Sequence, residues 1–282
     1  MIYLYLILSV ALIPFLNNFF EILRQSYSWW LVPVLVVAFF LGFVILHMLW
    51  FLITFAFVKL NSDKEKGAKY YRFVLKLTLP LIVKLVRVKI NLSGKSIDEV
   101  PTDRKMMFVC NHQHDFDPAV IWSVFPENNI GFIGKKEIYK TMPLIAKVMH
   151  KLYGLPIDRE NNREAAKTII EAIRYIKNDK ASIAIFPEGY VSPKCDLLPF
   201  RNGAFKIALK ANAPIVVCVL NGTRKIPKRM IWRRSEVDFR IIDVLYPEDY
   251  EGMNTNEIGD KIHALMETAL TEIKNKQNKC QS

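Results

Sequence analysis

Residues 105–118 read Lys105-Met106-Met107-Phe108-Val109-Cys110-Asn111-His112-Gln113-His114-Asp115-Phe116-Asp117-Pro118. The apolar run Met106–Cys110 suits a short strand buried on both faces, as in a parallel sheet. A polar cluster follows, and Pro118 fits the first turn of a helix running to Phe125. A buried strand, a polar loop and a helix make an α/β unit. In open α/β sheets the loops at the carboxyl ends of the strands are where ligands sit.

The pattern continues outward from this unit. Strands are predicted at Val86–Leu92, Lys105–Cys110, Ile130–Gly134, Ser182–Phe186 and Ile215–Leu220, with Val237–Leu245 as an edge strand. Helices are predicted over 143–152, 163–178, 202–211 and 255–275. The second has Asn161 or Asn162 as its cap and an apolar stripe of Ala166, Ile169, Ile170, Ile173 and Ile176. The expected fold is therefore α/β: a mixed, mainly parallel central sheet flanked by helices.

The amino-terminal part is different. Residues 1–58 hold only two charged side chains, Glu21 and Arg24, so the whole net charge of +12 lies in residues 59–282. The apolar run from Trp29 to Val58 exceeds the ~20 residues needed to span a bilayer. Tyr27, Trp29, Trp30 and Trp50 are suited to its interfaces. His47, its one titratable group, is expected to be satisfied by packing or to lie near an interface. A shorter run, Met1–Phe20, holds Pro14 and is expected to be a first hydrophobic helix, spanning or re-entrant. Lys59, Lys64, Lys66 and Lys69 follow the second run, so the positive-inside rule places residues 59–282 in the cytoplasm. A neutral apolar head on a basic body points to a membrane anchor and a domain lying on anionic lipid. Nucleic acid is not expected, because zinc-finger spacing, a helical basic run and an RNA-binding aromatic signature are all missing. The expected organisation is a hydrophobic helical anchor over 1–60, an amphipathic connector over 61–92 and a catalytic domain over 93–282. Lysines and arginines interrupt the apolar stretch of 69–90, which suits an interfacial helix broken near Pro80 or a core helix with solvated lysines. Cys110, Cys195, Cys218 and Cys280 are scattered, as in reduced proteins.

Three motifs can carry chemistry. In Asn111–Pro118, His112 and Asp117 are five residues apart, which is about 140° on a helix of ~3.6 residues per turn. They meet only if His112 lies in the loop and Asp117 at the helix start. Asp117 can then hold one ring nitrogen and leave the other to take a proton. A metal site built from His112, His114, Asp115 and Asp117, or a turn shaped by Asp and Asn, fits the same residues. In Phe186-Pro187-Glu188-Gly189, Pro187 ends a strand, Gly189 permits positive φ, and Glu188 is expected to be displayed in the turn as an acceptor for substrate hydroxyls. In Gly154-Leu155-Pro156-Ile157-Asp158-Arg159, the Arg can grip a phosphate in bidentate fashion, with Lys135 and Lys136 adding positive charge. Ordinary surface ion pairs are the alternative for all three cations.

Taken together and in this order, Asn-His-x-x-x-x-Asp, Gly-x-x-Ile-Asp-Arg and Phe-Pro-Glu-Gly behind a hydrophobic head resemble the glycerolipid acyltransferase family, and most closely its 1-acylglycerol-3-phosphate acyltransferases. The resemblance covers about residues 85–225. It implies His112 and Asp117 as a catalytic dyad, with Arg159, Glu188, Gly189, Lys135 and Asn111 around the acceptor. Leu198–Phe205 resembles the segment after the third block, with Arg201 in place of a Lys, and Ala213–Val216 resembles the fourth block. Tyr190 stands where a Thr often follows the third block, and Val217 where a second Pro is often found in the fourth. The implied reaction transfers a fatty acyl group from acyl-CoA or acyl carrier protein to a lysophospholipid hydroxyl, giving phosphatidic acid, with no cofactor and no metal. Backbone N–H groups near Glu188–Gly189 or in the 111–117 loop are the candidates for holding the oxyanion. Glycerol-3-phosphate and an ornithine lipid are alternative acceptors, and a metal-dependent membrane hydrolase is the alternative chemistry.

Overall fold

The computed structural model describes residues 1–20, 30–60, 66–230 and 232–279. Tyr27, Trp29, Lys64 and Cys280, singled out above, lie outside the described residues. The chain divides into two compact units, Met1–Val58 and Lys59–Ser282.

The first unit is a pair of helices, α1 (Ile2–Phe20) and α2 (Leu31–Ala56). Both are apolar on every side, and Pro14 sits inside α1. Among the described residues α2 is the one helix long and apolar enough to cross a membrane. At ~1.5 Å per residue its 26 residues reach about 39 Å. The two helices meet at a polar point. The Tyr5 hydroxyl lies 2.5 Å from Nδ1 of His47, and Ser9 Oγ donates to the Tyr5 carbonyl at 2.6 Å. Burying His47 without a partner would be costly, and Tyr5 relieves that cost.

The second unit begins with α3 (Lys69–Leu85) and contains β1 (Val88–Gly94), β2 (Met107–Val109), α4 (Asp117–Val124), β3 (Ile130–Lys135), α5 (Ile138–Thr141), α6 (Pro143–Lys151), β4 (Leu155–Ile157), α7 (Asn162–Lys177), β5 (Ser182–Ile185), α8 (Lys206–Ala211), β6 (Ile215–Asn221), α9 (Ile226–Arg229), β7 (Ser235–Leu245) and α10 (Thr255–Lys279). The seven strands form one sheet in the order β1-β7-β6-β2-β5-β3-β4. All neighbours are parallel except β6 and β7. β7 and β1 therefore run against the other five strands, and the sheet is mixed and mainly parallel, as its sequence predicts.

Alternation along the strands feeds two cores. Met107 and Val109 point with Ile183, Ile215 and Val217 into the layer of α7, α8 and α10. Phe108 points the other way, where its ring meets Phe125 at 5.0 Å, and Phe125 meets Phe239 at 5.9 Å. α3 buries Val74, Leu75, Thr78, Leu81 and Val83, and it runs unbroken through Pro80. Its buried stripe explains the interrupting lysines as the solvated side of a packed helix.

Several expectations change. β7 is not an edge strand, since β1 covers its far side in register from Val88↔Ser235 to Gly94↔Ile241. Alternating burial made it look like an edge, and its covering partner lies about 145 residues away in sequence, where no local pattern reveals it. The true edges are β1 and the three-residue β4. Residues 69–94, assigned mostly to a connector, supply a packed helix and an edge strand of the second unit, because both carry apolar faces that this sheet buries. The helix expected over 202–211 starts as a 3₁₀ turn, Asn202–Phe205, before α8. Asn161 caps α7, accepting from Arg163 N–H at 3.1 Å and Glu164 N–H at 3.2 Å.

Phe205 is fully buried between α8, α10 and the sheet. Phe205→Ala should destabilise the protein by about 3–5 kcal/mol through lost burial and an unfilled cavity. Chemical denaturation in detergent, followed by circular dichroism, measures it; a loss below ~1 kcal/mol would contradict this packing.

Candidate active site

β2 ends at Val109, and the next seven residues turn outward before α4 starts at Asp117. Asn111 holds the first step of that turn. Its amide nitrogen donates to the Leu220 carbonyl at 3.0 Å, and its oxygen accepts from Leu220 N–H at 2.8 Å. The side chain thus continues the pairing with β6 after the backbone of β2 has left it. Asn111 is 3% exposed and both its polar groups are occupied, so it braces the loop and does not face the acceptor, contrary to its expected role.

Asp117 organises the next step. It is fully buried at the amino end of α4, where the helix dipole favours a negative charge. Its Oδ2 accepts from Gln113 N–H at 2.7 Å and His114 N–H at 2.9 Å, and lies 2.8 Å from His112 Nδ1. An Oδ2 that accepts from two backbone N–H groups suits Nδ1 as a third donor, which leaves Nε2 as the ring nitrogen outside this pair. The five-residue spacing closes as expected, with His112 in the loop and Asp117 at the start of the helix.

The His112 ring lies flat on Phe186, centroids 4.2 Å apart at 12°, and keeps 12% of its side chain exposed. Phe186 follows β5, so the second motif supports the first. Glu188 also points inward. Its Oε1 accepts from His112 N–H at 2.7 Å and its Oε2 from Leu198 N–H at 2.9 Å, and it is 3% exposed. It is not displayed in the turn to meet substrate hydroxyls, because both oxygens are taken by backbone. Burial pushes its carboxyl up to about 7, against the opposing pull of those two N–H donors.

Gly189 has φ +76°, and a Cβ there would stand 3.0 Å from Arg201 Nε. The glycine therefore lets Arg201 lie across the turn. Gly189 N–H donates to the Phe186 carbonyl at 3.0 Å. The N–H groups of His112, Gln113, His114 and Gly189 are thus already engaged, which removes them as oxyanion donors in this conformation.

The third motif meets the second at Tyr190. The guanidinium carbons of Arg159 and Arg201 each lie 5.3 Å from the Tyr190 ring centroid. Arg201 also donates to the Arg159 carbonyl at 3.2 Å and to the Tyr190 hydroxyl at 3.1 Å. Burial lowers Arg159 from its ordinary value, with the nearby charge of Arg201 acting in the same direction and Tyr190 and Glu137 opposing it. Two cations held around one ring form a site ready for an anion. Arg201 takes a place here that the three motifs do not give it. Its signal was present, a cation in the segment after the third block, but the fold back onto Gly189 is not local.

Lys135 is placed differently. It is an exposed cation 3.7 Å from Glu137 Oε2, and Lys136 pairs with Asp158. Lys135 does not line the cavity that Arg159 and Arg201 border, so its expected role at the acceptor is not supported. His114 Nδ1 accepts from Phe116 N–H at 3.1 Å, which turns it into the loop.

That cavity has a volume of about 670 Å³. Its apolar wall comes from Ile133, Ile157, Ile185 and the α7 stripe of Ala166, Ile169 and Ile173. Arg159, Arg201, Lys206 and Lys210 add positive charge, and Phe186 joins it to the His112 ring. The stripe on α7 is therefore a cavity wall along much of its length, and packs as core mainly towards Ile176.

The Glu188 carboxyl gives a pH signature. Its folded value, about 7, lies above its ordinary 4.5. The folded state then holds the proton more tightly, so its contribution is fully present below about 4.5 and is lost as pH rises through about 7. The stability difference between the natural protein and Glu188→Gln should therefore shift against the natural protein over that window. Melting temperatures of both at stepped pH measure this; parallel curves would contradict the raised value.

Comparison with known proteins places this geometry. The family model described as Acyltransferase matches residues 90–221. The chain is 30% identical over 181 residues to a 1-acyl-sn-glycerol-3-phosphate acyltransferase of Escherichia coli, covering 61% of this chain and 71% of that protein. It is 29% identical over 178 residues to the protein of the same name from Haemophilus influenzae, covering 62% and 73%. The fold is similar to the crystal structure of the 1-acyl-sn-glycerophosphate acyltransferase of Thermotoga maritima, with a TM-score of 0.61 over 97% of this chain and 98% of that one at 20% identity. The chain belongs to the glycerolipid acyltransferase family and is an O-acyltransferase.

Proposed function

We propose that this enzyme transfers a fatty acyl group from an acyl thioester, acyl-CoA or acyl carrier protein, to the free hydroxyl of 1-acylglycerol-3-phosphate, giving phosphatidic acid at a membrane. The observation that carries this reading is the His112–Asp117 pair, whose imidazole ring stacks on Phe186, a wall residue of the cavity bordered by two arginines.

An alcohol is a poor nucleophile near neutral pH. Nε2 of His112 takes its proton as the oxygen attacks the thioester carbonyl carbon. Asp117 keeps the tautomer and stabilises the imidazolium that forms. Collapse of the tetrahedral intermediate breaks the C–S bond, and the thiolate leaves with the proton returned by His112. The thioester supplies the driving force, so neither ATP nor a metal enters the scheme. Arg159 and Arg201 hold the acceptor phosphate, and the apolar cavity takes an acyl chain. The relatives' names carry the choice of acceptor, and the paired guanidiniums favour a phosphorylated one over an ornithine lipid. The apolar helices of residues 1–56 hold the enzyme at the bilayer, and the positive-inside rule, read from Lys59, Lys64, Lys66 and Lys69 in the sequence, favours the cytoplasmic side for residues 59–282.

His112→Ala should lower kcat by ~10³-fold or more with the melting temperature unchanged. Activity within tenfold of the natural protein would remove His112 from the chemistry. Arg159→Ala and Arg201→Ala should each raise the KM for a phosphorylated acceptor at least several-fold, with a smaller effect on kcat. An unchanged KM in both would move the phosphate elsewhere. Labelled acyl-CoA and a panel of lysophospholipids identify the acceptor, and the same assay with chelator tests the metal-dependent alternative.

A further inference from the structure

The segment between β6 and β7, residues 222–234, carries Arg224, Lys225, Lys228, Arg229, Arg233 and Arg234 and no acidic residue. It also carries Trp232, which is 85% exposed. A large aromatic ring left this far in solvent among cations is unusual on a free protein surface.

Its described backbone, residues 222–230 and 232–234, is held in place. Gly222 N–H donates to Gln113 Oε1 at 3.0 Å, Ile226 is fully buried, and Arg224 donates to the Ser192 carbonyl at 2.9 Å. Met230 N–H bonds to the Ile226 carbonyl and Arg233 N–H to the Arg229 carbonyl, each at 2.8 Å. Arg87 Nη1 donates to the Trp232 carbonyl at 3.3 Å, and Ser235 N–H to the Arg87 carbonyl at 3.0 Å. Trp232 is thus presented by an anchored turn.

The topology fixes where this turn lies. β6 runs parallel to β2, so Asn221 ends at the same end of the sheet as the His112 loop. β7 runs back from there, and β1 starts beside it at Val88↔Ser235. Trp232, Arg233 and Arg234 therefore stand at the catalytic end of the sheet.

The geometry points to a membrane-contact surface: the 222–234 turn seats Trp232 in the headgroup region of an anionic bilayer, with its cations on the lipid phosphates. Tryptophan favours that layer, and each lysine or arginine near it gains from the negative leaflet. An acidic protein would match the charge as well, and the apolar helices of the same chain favour the bilayer as the occupant. This surface rests on the proposed membrane reading and adds a second contact to the apolar helices.

The test uses the full chain reconstituted in phosphatidylglycerol/phosphatidylcholine vesicles. Subtracting the emission of Trp232→Phe from that of the natural protein isolates Trp232. Brominated lipid should remove most of this emission, and aqueous iodide little of it. Trp232→Ala/Arg233→Gln/Arg234→Gln should raise the KM for bilayer-borne acceptor several-fold and leave turnover in detergent micelles unchanged. Trp232 quenched by iodide and untouched by brominated lipid, in protein that still floats with the vesicles, would overturn the surface and leave the anchor standing. Protein that does not float would overturn both. A raised KM for a carrier-protein donor alone would assign the turn to an acidic protein instead.

Discussion

A single oxygen, Oδ2 of Asp117, faces His112 Nδ1 and the backbone N–H groups of Gln113 and His114 within 2.9 Å. The chain between residues 112 and 117 has little regular structure, so its shape depends on this carboxylate. These three contacts converge on one buried oxygen at a helix start, and together they order the loop. The His112 ring is thereby held in one orientation before any ligand arrives. In the proposed reaction such preorganisation spares the cost of ordering the base at the moment of transfer.

Motif side chains take over where backbone pairing stops. β2 is three residues long and cannot itself support the loop that follows. Asn111 copies a strand's donor and acceptor towards β6, and Glu188 reaches from the β5 side to the His112 N–H. The catalytic loop is thus gripped from both neighbouring strands. Residues that a motif reading sends to the substrate are structural here for a simple reason: they are the polar groups able to satisfy a buried backbone that has left its ladder.

The fold was legible wherever the signal was local. The buried strand before His112, the α7 stripe and the cap at Asn161 all follow from adjacent residues. The His112–Asp117 contact was legible too, because the helix start fixes the one geometry in which a five-residue spacing closes. What failed to show was non-local. β1 pairs with β7 across about 145 residues, β4 is too short to carry a pattern, and Arg201 reaches Arg159 through a fold in the chain 42 residues later. Glu188 was visible as a residue, but its inward direction depends on the backbone of two distant segments.

Cations in this protein differ in whether their charge is already balanced, and only three-dimensional placement separates them. Lys136 meets Asp158, Lys95 meets Asp243 at 2.8 Å, and Lys274 meets Asp196 at 2.7 Å. These pairs have met their electrostatic need and gain little from another anion. Arg159 and Arg201 are arranged otherwise: their contacts are an aromatic ring, a phenol oxygen and a backbone carbonyl. None of those is a carboxylate, although Glu137 acts on Arg159 from nearby and Glu160 accepts from the Tyr190 hydroxyl at 3.4 Å. Holding two like charges together around Tyr190 is unfavourable until an anion enters, and a phosphate dianion relieves that repulsion more fully than a monoanionic or zwitterionic head group. The Tyr at position 190 is then more than a departure from a motif, since its ring sets the spacing of the two charges proposed to meet the acceptor phosphate.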